Sequence, residues 1–453
     1  MTLENASSAE PRSAGGLAEV ATLAAPLVLT QMLITTMGVV DSAIVGRLGA
    51  APLGAVGLGG MWVWTMASFF VGASTAVQTF VAQHHGAGDA RACGPWSWQG
   101  LAAALPLAAL ASLIIFFSAD AFIEILAPSE KIAPLATGYM RARSLGILGI
   151  TAAVSLSSFF RGIGDARTPL IATLIANAAN LFLDFGLVYG WFGFPKYGVV
   201  GAGLATAISE WIYFGVVAFA FMRPAIRREF NTEWTAPRLS EIRRLLRTGI
   251  PIGGQWVIEM IAFAVFTTLV ARMGDAELAA SHAFIQLLSL SFMQASGIST
   301  AAATLVGRYV GAGQLEKVRR SYHASLSLGG MLAGVIALLF VFVPETLLKI
   351  FTDDPQVLAL GAPLLRVGAA YQLFDAISIV IDGALRGAGD TRWPFAMRCL
   401  ATWLIFIPLA YFLAFPMGFG LTGAWSGGLV SMAVIAGALL WRFHSGAWQR
   451  IEI

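Results

Sequence analysis

The sequence predicts an all-α polytopic membrane protein, with twelve transmembrane helices in two parallel six-helix repeats around a central cleft. Three observations carry that expectation. Hydrophobic residues make up 57% of the 453 and charged residues only 12%, with a mean hydropathy of +0.76, well outside the soluble range. Apolar runs of roughly 20 residues, enough to cross about 30 Å of hydrocarbon, follow one another along the chain. Finally, the chain repeats itself at one offset of 225 positions: Ala25-Pro26 with Ile250-Pro251, Gly46-Arg47-Leu48-Gly49 with Ala271-Arg272-Met273-Gly274, Gly86-Ala87-Gly88 with Gly311-Ala312-Gly313, and Arg141 with Arg366. Ser74-Thr75 recurs as Ser299-Thr300, and Arg161-Gly162-Ile163-Gly164-Asp165 through Pro169 recurs as Arg386-Gly387-Ala388-Gly389-Asp390 through Pro394. A single register held over so many spaced positions marks a duplicated half-protein.

The apolar runs predict helices near 20–45, 52–82, 96–118, 134–158, 169–190 and 200–222 in the first copy. Their counterparts fall near 245–271, 277–306, 322–343, 358–385, 394–415 and 421–442. The first run of each copy holds a proline, Pro26 or Pro251, which frees a carbonyl and allows a kink. A bend at Pro26 would move Asp41, which makes the pair candidate gating positions. Dense Gly and Ala suit close helix packing in lipid, and the period-2 pattern of a membrane barrel is absent.

Each copy has an even number of spans, so both enter the membrane the same way round, related by an axis along the membrane normal. The expected organisation is an N-lobe over 1–222, a cytoplasmic linker over 223–247 and a C-lobe over 248–453. The linker is basic, the longest loop, and carries Pro224 and Pro237. Lys and Arg fix the orientation. The loops sharing a side with both termini carry Arg12, Arg91, Arg161, Arg167, the Arg223–Arg247 group, Arg308, Lys317, Arg319, Arg320, Arg386, Arg392, Arg442 and Arg450. The other side has only Arg47, Lys131, Lys196, Arg272 and Lys349, so both termini are expected in the cytoplasm. The net charge of +3 is then a topology signal, and no nucleic-acid partner is expected. Met1–Ser13 is polar and unlike a signal peptide. Cys93 and Cys399 suggest no disulfide.

Chemistry is expected where ionisable groups interrupt apolar helices. The first copy has Asp41 in span 1, and Asn177, Asn180 and Asp184 spaced i, i+3, i+7 on one face of span 5. That face is the expected partner of Asp41, with Thr206 of span 6 adding a hydroxyl. Asp has too short a stem to snorkel far into water. Clustered carboxylates at low dielectric can load and release protons, and the same oxygens suit a Na+ ion. The second copy differs: Asp41, Asn180 and Asp184 map to Phe266, Ile405 and Leu409, whereas Glu259, Asp375 and Asp382 map to Ile34, Ile150 and Ser157. Residues present in both copies therefore read as scaffold and residues in one copy as function. Asp382 also has the bland reading of an ion pair with Arg386 one turn on. The Arg161–Asp165–Arg167 segment and its copy read as turn-fixing ion pairs, and Glu210 stays open between coupling and structure. His84, His85 and His282 lack metal-ligand company. No cofactor or metal is expected, and with no nucleophile–base constellation, no enzyme.

Pro26, Val40-Asp41, Gly46-Arg47-Leu48-Gly49, Gly86-Ala87-Gly88, Arg161-Gly162 through Pro169 and Gly201-Ala202-Gly203-Leu204-Ala205-Thr206 together resemble the multidrug and toxic compound extrusion (MATE) family, over about the whole chain. The resemblance implies two six-helix lobes and efflux of organic cations, drugs or toxic compounds by alternating access, against a H+ or Na+ gradient, with H+ favoured here. It implies a cation site at Asp41, Asn180, Asp184 and Thr206, as in the DinF-like and archaeal members. Gly249-Ile250-Pro251 through Glu259, and Tyr371-Gln372-Leu373-Phe374-Asp375, are similar to the NorM-like branch, and Asp382-Gly383 to the DinF-like acid of span 10. Carrying both sets leaves the coupling ion open. The expected partners are a drug-like molecule and membrane lipid, the expected state a monomer, and the expected location a bacterial inner membrane. The runner-up function is a lipid-linked oligosaccharide flippase of the same superfamily. Such a protein needs a cationic cleft for pyrophosphate, and span-embedded arginine is sparse here (Arg141, Arg143, Arg366, Arg398).

Overall fold

A computed structural model of the chain describes residues 14–126 and 129–451; Met1–Ser13, with the Arg12 counted in the charge asymmetry, lie outside them. Among the described residues the long elements are all helices and no strand occurs. Twelve helices are long and apolar enough to cross a membrane. In the first half these are α1 Leu17–Gly46, α2 Ala50–Gly86, α3 Ala90–Leu126, α4 Ala133–Ile163, α5 Arg167–Tyr189 and α6 Val199–Phe221. In the second they are α7 Leu239–Ala271, α8 Asp275–Gly311, α9 Leu315–Phe342, α10 Pro355–Gly387, α11 Arg392–Ala414 and α12 Gly420–His444. The chain is a multi-pass membrane protein.

The helices keep the register of the sequence repeat. α2 and α8, and likewise α5 and α11, begin and end at positions 225 apart, and α1 and α7 end in step at Gly46 and Ala271. Helix stops are duplicated because the turn chemistry is duplicated. Gly164 and Gly389, just past α4 and α10, adopt φ of +88° and +90°, a left-handed conformation that a side chain would strain.

Three helices depart from the apolar pattern. α3 runs through Pro95 and Pro106 and extends well beyond the expected 96–118 at both ends. α7 begins at Leu239, inside the stretch 223–247 expected as linker. Its first turns are rich in Leu and Arg, strong helix formers whose polar ends stand clear of the hydrocarbon. What connects the halves is a short helix, Pro224–Phe230, and an extended strap to Arg238. α11 contains a π-helical turn, Thr402–Phe406. Pro408 follows it; lacking an N–H, proline cannot bond to the Leu404 carbonyl, and the widened turn accommodates its ring.

Each half has its own buried clusters. Phe80, Phe159 and Phe221 sit in one first-half cluster and Ile123, Tyr139 and Val199 in another, while Phe284, Leu364 and Trp425 anchor the second half. α1 and α7 belong to both halves. Val20 and Leu27 pack with second-half residues, whereas Ile44 and Val45 pack with the first half. α7 mirrors this, with Leu245 and Ile252 in a first-half cluster and Phe266 and Val270 in a second-half one. Pro26 and Pro251 lie in the stretch of each helix that packs on the opposite half, short of the change.

The halves meet through a reciprocal set of contacts. Thr79 Oγ1 donates to the Arg386 carbonyl at 3.0 Å, and its repeat mate Thr304 donates to the Arg161 carbonyl at 2.9 Å. A Cβ on Gly86 would strike the Arg308 carbonyl, and one on its mate Gly311 would strike the Gln83 carbonyl. Such an exchange is what a two-fold relation between halves requires. The described hydrogen bonds between the halves all lie toward this end, from residues 19–31, 78–83 and 161–163 to 296–309 and 386–387. The innermost joins Gln31 to Ser296 at 3.0 Å. Toward Gly46 and Ala271 no described hydrogen bond crosses between the halves.

Candidate functional site

Asp41 lies on the part of α1 that has left the second half and packs on α5 and α6. Two side chains of α5 hold the α1 backbone there: Asn177 Nδ2 donates to the Leu33 carbonyl at 2.8 Å, and the Tyr189 hydroxyl donates to the Ile44 carbonyl at 2.5 Å. Thr206 Oγ1 donates to Asp41 Oδ2 at 3.2 Å while also reaching the Ala202 carbonyl at 3.0 Å. Asp184 and Asn180, one turn apart on α5, are 0% and 1% exposed. The Asp184 carboxyl adjoins that of Asp41 within hydrogen-bonding reach. Thus Thr206 and Asp184 meet Asp41, with Asn180 buried one turn from Asp184 on α5, and Asn177 turns instead to the backbone of α1.

The pocket is chemically incomplete. Asp41 Oδ1, both Asp184 oxygens and Asn180 Nδ2 have no hydrogen-bond partner. Two ionised carboxylates offer only acceptors, and burying them together without a donor or counter-ion is costly. A proton shared between them, or a small cation coordinated by both, supplies what is missing.

The nearest cation is already engaged. Arg143 of α4 donates from Nη1 and Nη2 to Glu210 of α6, both at 2.7 Å, in a bidentate pair. Gly146 makes room for it, since a Cβ there would strike the Glu210 carboxylate. Glu210, left open by its sequence position, is therefore an ion-pair residue, and Arg143 is its missed partner. Opposite charges on two apolar spans were the available signal. Tyr139, 7% exposed, lies within electrostatic range of Asp41 and Asp184 and was also missed; an aromatic among many has no sequence signature.

The second half has a different arrangement at different places. Glu259 of α7 accepts from Gln255 Nε2 at 3.1 Å and from Arg398 Nη1 of α11 at 3.4 Å. Arg398 also reaches Ser378 Oγ at 3.3 Å and lies within electrostatic range of Asp375 and Asp382. Asp382 pairs with Arg386 Nε at 3.4 Å, one turn on, while its Oδ1 lacks a partner. So Glu259, Asp375 and Asp382 form a group balanced by arginines, separate from the Asp41 pocket. At the repeat position of Asp41, Phe266 is 1% exposed and packs on Phe406 and Trp425 with ring centroids 5.0 and 4.8 Å away.

The turn segments correct one expectation. Among the described residues Asp165 makes no ion pair; its Oδ1 accepts from the backbone N–H of Arg167 and Thr168 at 2.9 and 3.1 Å, as an N-terminal helix cap does. Asp390 pairs with Arg442 of α12 at 2.7 Å, not with either arginine of its own turn.

Comparison with known proteins gives the family and the fold. The MatE family model matches residues 26–185 and 251–412. The chain is 31% identical over 439 residues to a probable multidrug resistance protein NorM of Thermotoga maritima, covering 95% of this chain and 93% of that protein. It is 30% identical over 422 residues to a probable multidrug resistance protein NorM of Pseudomonas aeruginosa, covering 91% of this chain and 86% of that one. The fold superimposes with a TM-score of 0.87, at 20% identity, on a structure described as the outward-facing conformation of a multidrug resistance MATE family transporter, covering 96% and 97% of the two chains.

Proposed function

The chain belongs to the MatE family, and from that footing we propose that it is a cation-coupled antiporter that exports organic cations and other drug-like compounds by alternating access. The observation that carries the coupling is the one-sided pocket at Asp41 and Asp184, two adjoining carboxyl groups with unpartnered oxygens on an otherwise duplicated scaffold. H+ is the favoured coupling ion, because a shared proton satisfies both groups without further ligands; Na+ is the alternative. Loading and unloading that ion changes the charge on α1 beyond Pro26 and with it the shape of the cleft. The two halves act as lobes over 1–222 and 248–453 that rock about their reciprocal interface. The end where no such bonds cross lies away from the basic loops, so in this reading the cleft opens outward, with both termini cytoplasmic in a bacterial inner membrane. The protein works as a monomer, needs no cofactor and performs no covalent chemistry. A flippase reading is disfavoured, since Arg143 and Arg398 are occupied by Glu210 and Glu259 and leave little free charge for a pyrophosphate.

The test is dye efflux from proteoliposomes with pH and Na+ gradients imposed separately. A pH gradient alone should drive efflux in the native protein, and Asp41→Asn should abolish that drive. Full activity of Asp41→Asn under the same gradient would sink the coupling assignment.

A further inference from the structure

The segment joining the halves is not a loose tether. Phe230 is buried at 4% exposure against the first half. Thr232 Oγ1 donates to the Phe221 carbonyl at 2.9 Å, and Trp98 of α3 donates from Nε1 to the Thr232 carbonyl at 3.2 Å. Gln99 clasps the strap from both sides, donating to the Ala236 carbonyl at 3.0 Å and accepting from the Arg238 N–H at 2.8 Å. The fixed strap and the first turn of α3 enclose a concavity lined by Arg91, Arg227, Arg228, Asn231, Glu233 and Met222.

Its charge is unbalanced. Glu233 is taken by Arg227 at 3.1 Å, and among the described residues no carboxylate lies within ion-pair distance of Arg91 or Arg228. Guanidinium groups brought together by a rigid frame repel one another unless an anion lies between them. The repeat underlines the point, because Arg91 corresponds to Glu316 in the second copy.

Exposed apolar residues on the same segment and the helix end before it say which anion. Trp234 is 72% and Leu239 82% exposed, and Phe219 on the last turn of α6 is 66% exposed with Arg223 over its ring at 5.5 Å. Large apolar side chains beside arginines, between the ends of two spanning helices, sit at the height of lipid headgroups. We propose that this concavity binds the phosphate of an anionic phospholipid, with Arg91 and Arg228 on the headgroup and Trp234 and Leu239 against the glycerol and upper chain. A bound lipid would tie the strap, and through it α7, to the membrane surface.

The test uses the full-length protein in nanodiscs of equal parts phosphatidylglycerol and phosphatidylcholine, counting co-retained lipids by native mass spectrometry. The native protein should enrich phosphatidylglycerol, and each arginine removed should lower that preference about fivefold. Arg91→Gln/Arg228→Gln should therefore lose it, while Arg319→Gln, an exposed arginine on α9, should not. Trp234→Ala should weaken retention with both arginines in place. Equal enrichment in native and Arg91→Gln/Arg228→Gln proteins would overturn the proposal. So would displacement of the lipid by millimolar inorganic phosphate, which would make this a site for free anions. Dye efflux of each variant, measured alongside, shows that it is folded.

Discussion

At the level of single residues, the informative contrast is between acids that have partners and acids that do not. Glu210 is held by two short bonds from Arg143 in a water-poor interior. Removing one member of such a pair strands the other, at a cost of about 3–5 kcal/mol. Arg143→Gln should thus lower the thermal stability of the detergent-solubilised protein sharply, and Arg143→Gln/Glu210→Gln should recover most of it. Strict additivity of the two changes would contradict the pairing. Asp184 behaves oppositely, because its oxygens are already unpartnered. Asp184→Asn leaves stability unchanged or raised and should abolish gradient-driven efflux; a large loss of melting temperature would mean a structural role. Asp41, Asn180 and Asp184 were legible in the sequence because they are polar breaks at helical spacing in one copy only. Arg143 and Tyr139 were not, since the pairing of side chains on different helices depends on how those helices are rotated.

At the level of elements, α1 and α7 matter most, because each packs on both halves. A helix whose two ends are fixed to bodies that move must bend or slip between them, and a proline has already removed one main-chain bond short of that crossover. Pro26→Ala and Pro251→Ala should therefore fold normally and slow efflux, with dye affinity little changed; unaltered turnover would remove α1 and α7 as bending elements. The sequence located both prolines but not this division of allegiance, which shows only in the buried clusters. The start of α7 was missed for a related reason: an amphipathic, arginine-rich turn has no long apolar run, yet it continues a helix that the membrane segment already nucleates. The π-turn of α11 was equally hidden, since Pro408 announces a distortion without saying which kind.

At the level of the whole molecule, the closed end is a two-fold set of threonine-to-carbonyl bonds and glycine contacts, in which the threonines, the glycines and the arginines that accept from the threonines are duplicated residues, whereas Gln83 and Arg308 differ. Each threonine bond contributes about 1 kcal/mol, so Thr79→Val and Thr304→Val should each shift the equilibrium toward opening at this end. Accessibility of engineered cysteines on either side of the interface measures that shift, and the Thr304→Val effect should be the larger because its hydroxyl also accepts from Gln78 Nε2 at 2.9 Å. Covalent closure should do the reverse. A Cβ at Gly307 lies 2.9 Å from that of Ala82, slightly closer than a disulfide prefers. Cysteines at both positions, with Cys93 and Cys399 replaced, should cross-link on oxidation and stop efflux until reduced. Efflux that persists in fully cross-linked protein would rule out rocking at this interface. The amino-acid sequence by itself determined the membrane setting, the helix count, the duplication and the uneven distribution of acids. Composition, periodicity and repeat register are properties of the chain taken one stretch at a time. Only the tertiary structure decided which acids are already neutralised, at which end the halves are bonded together, and that the strap is fastened to the first half. Those outcomes depend on the rotation and tilt of packed helices, which side-chain complementarity sets and no single stretch of sequence contains.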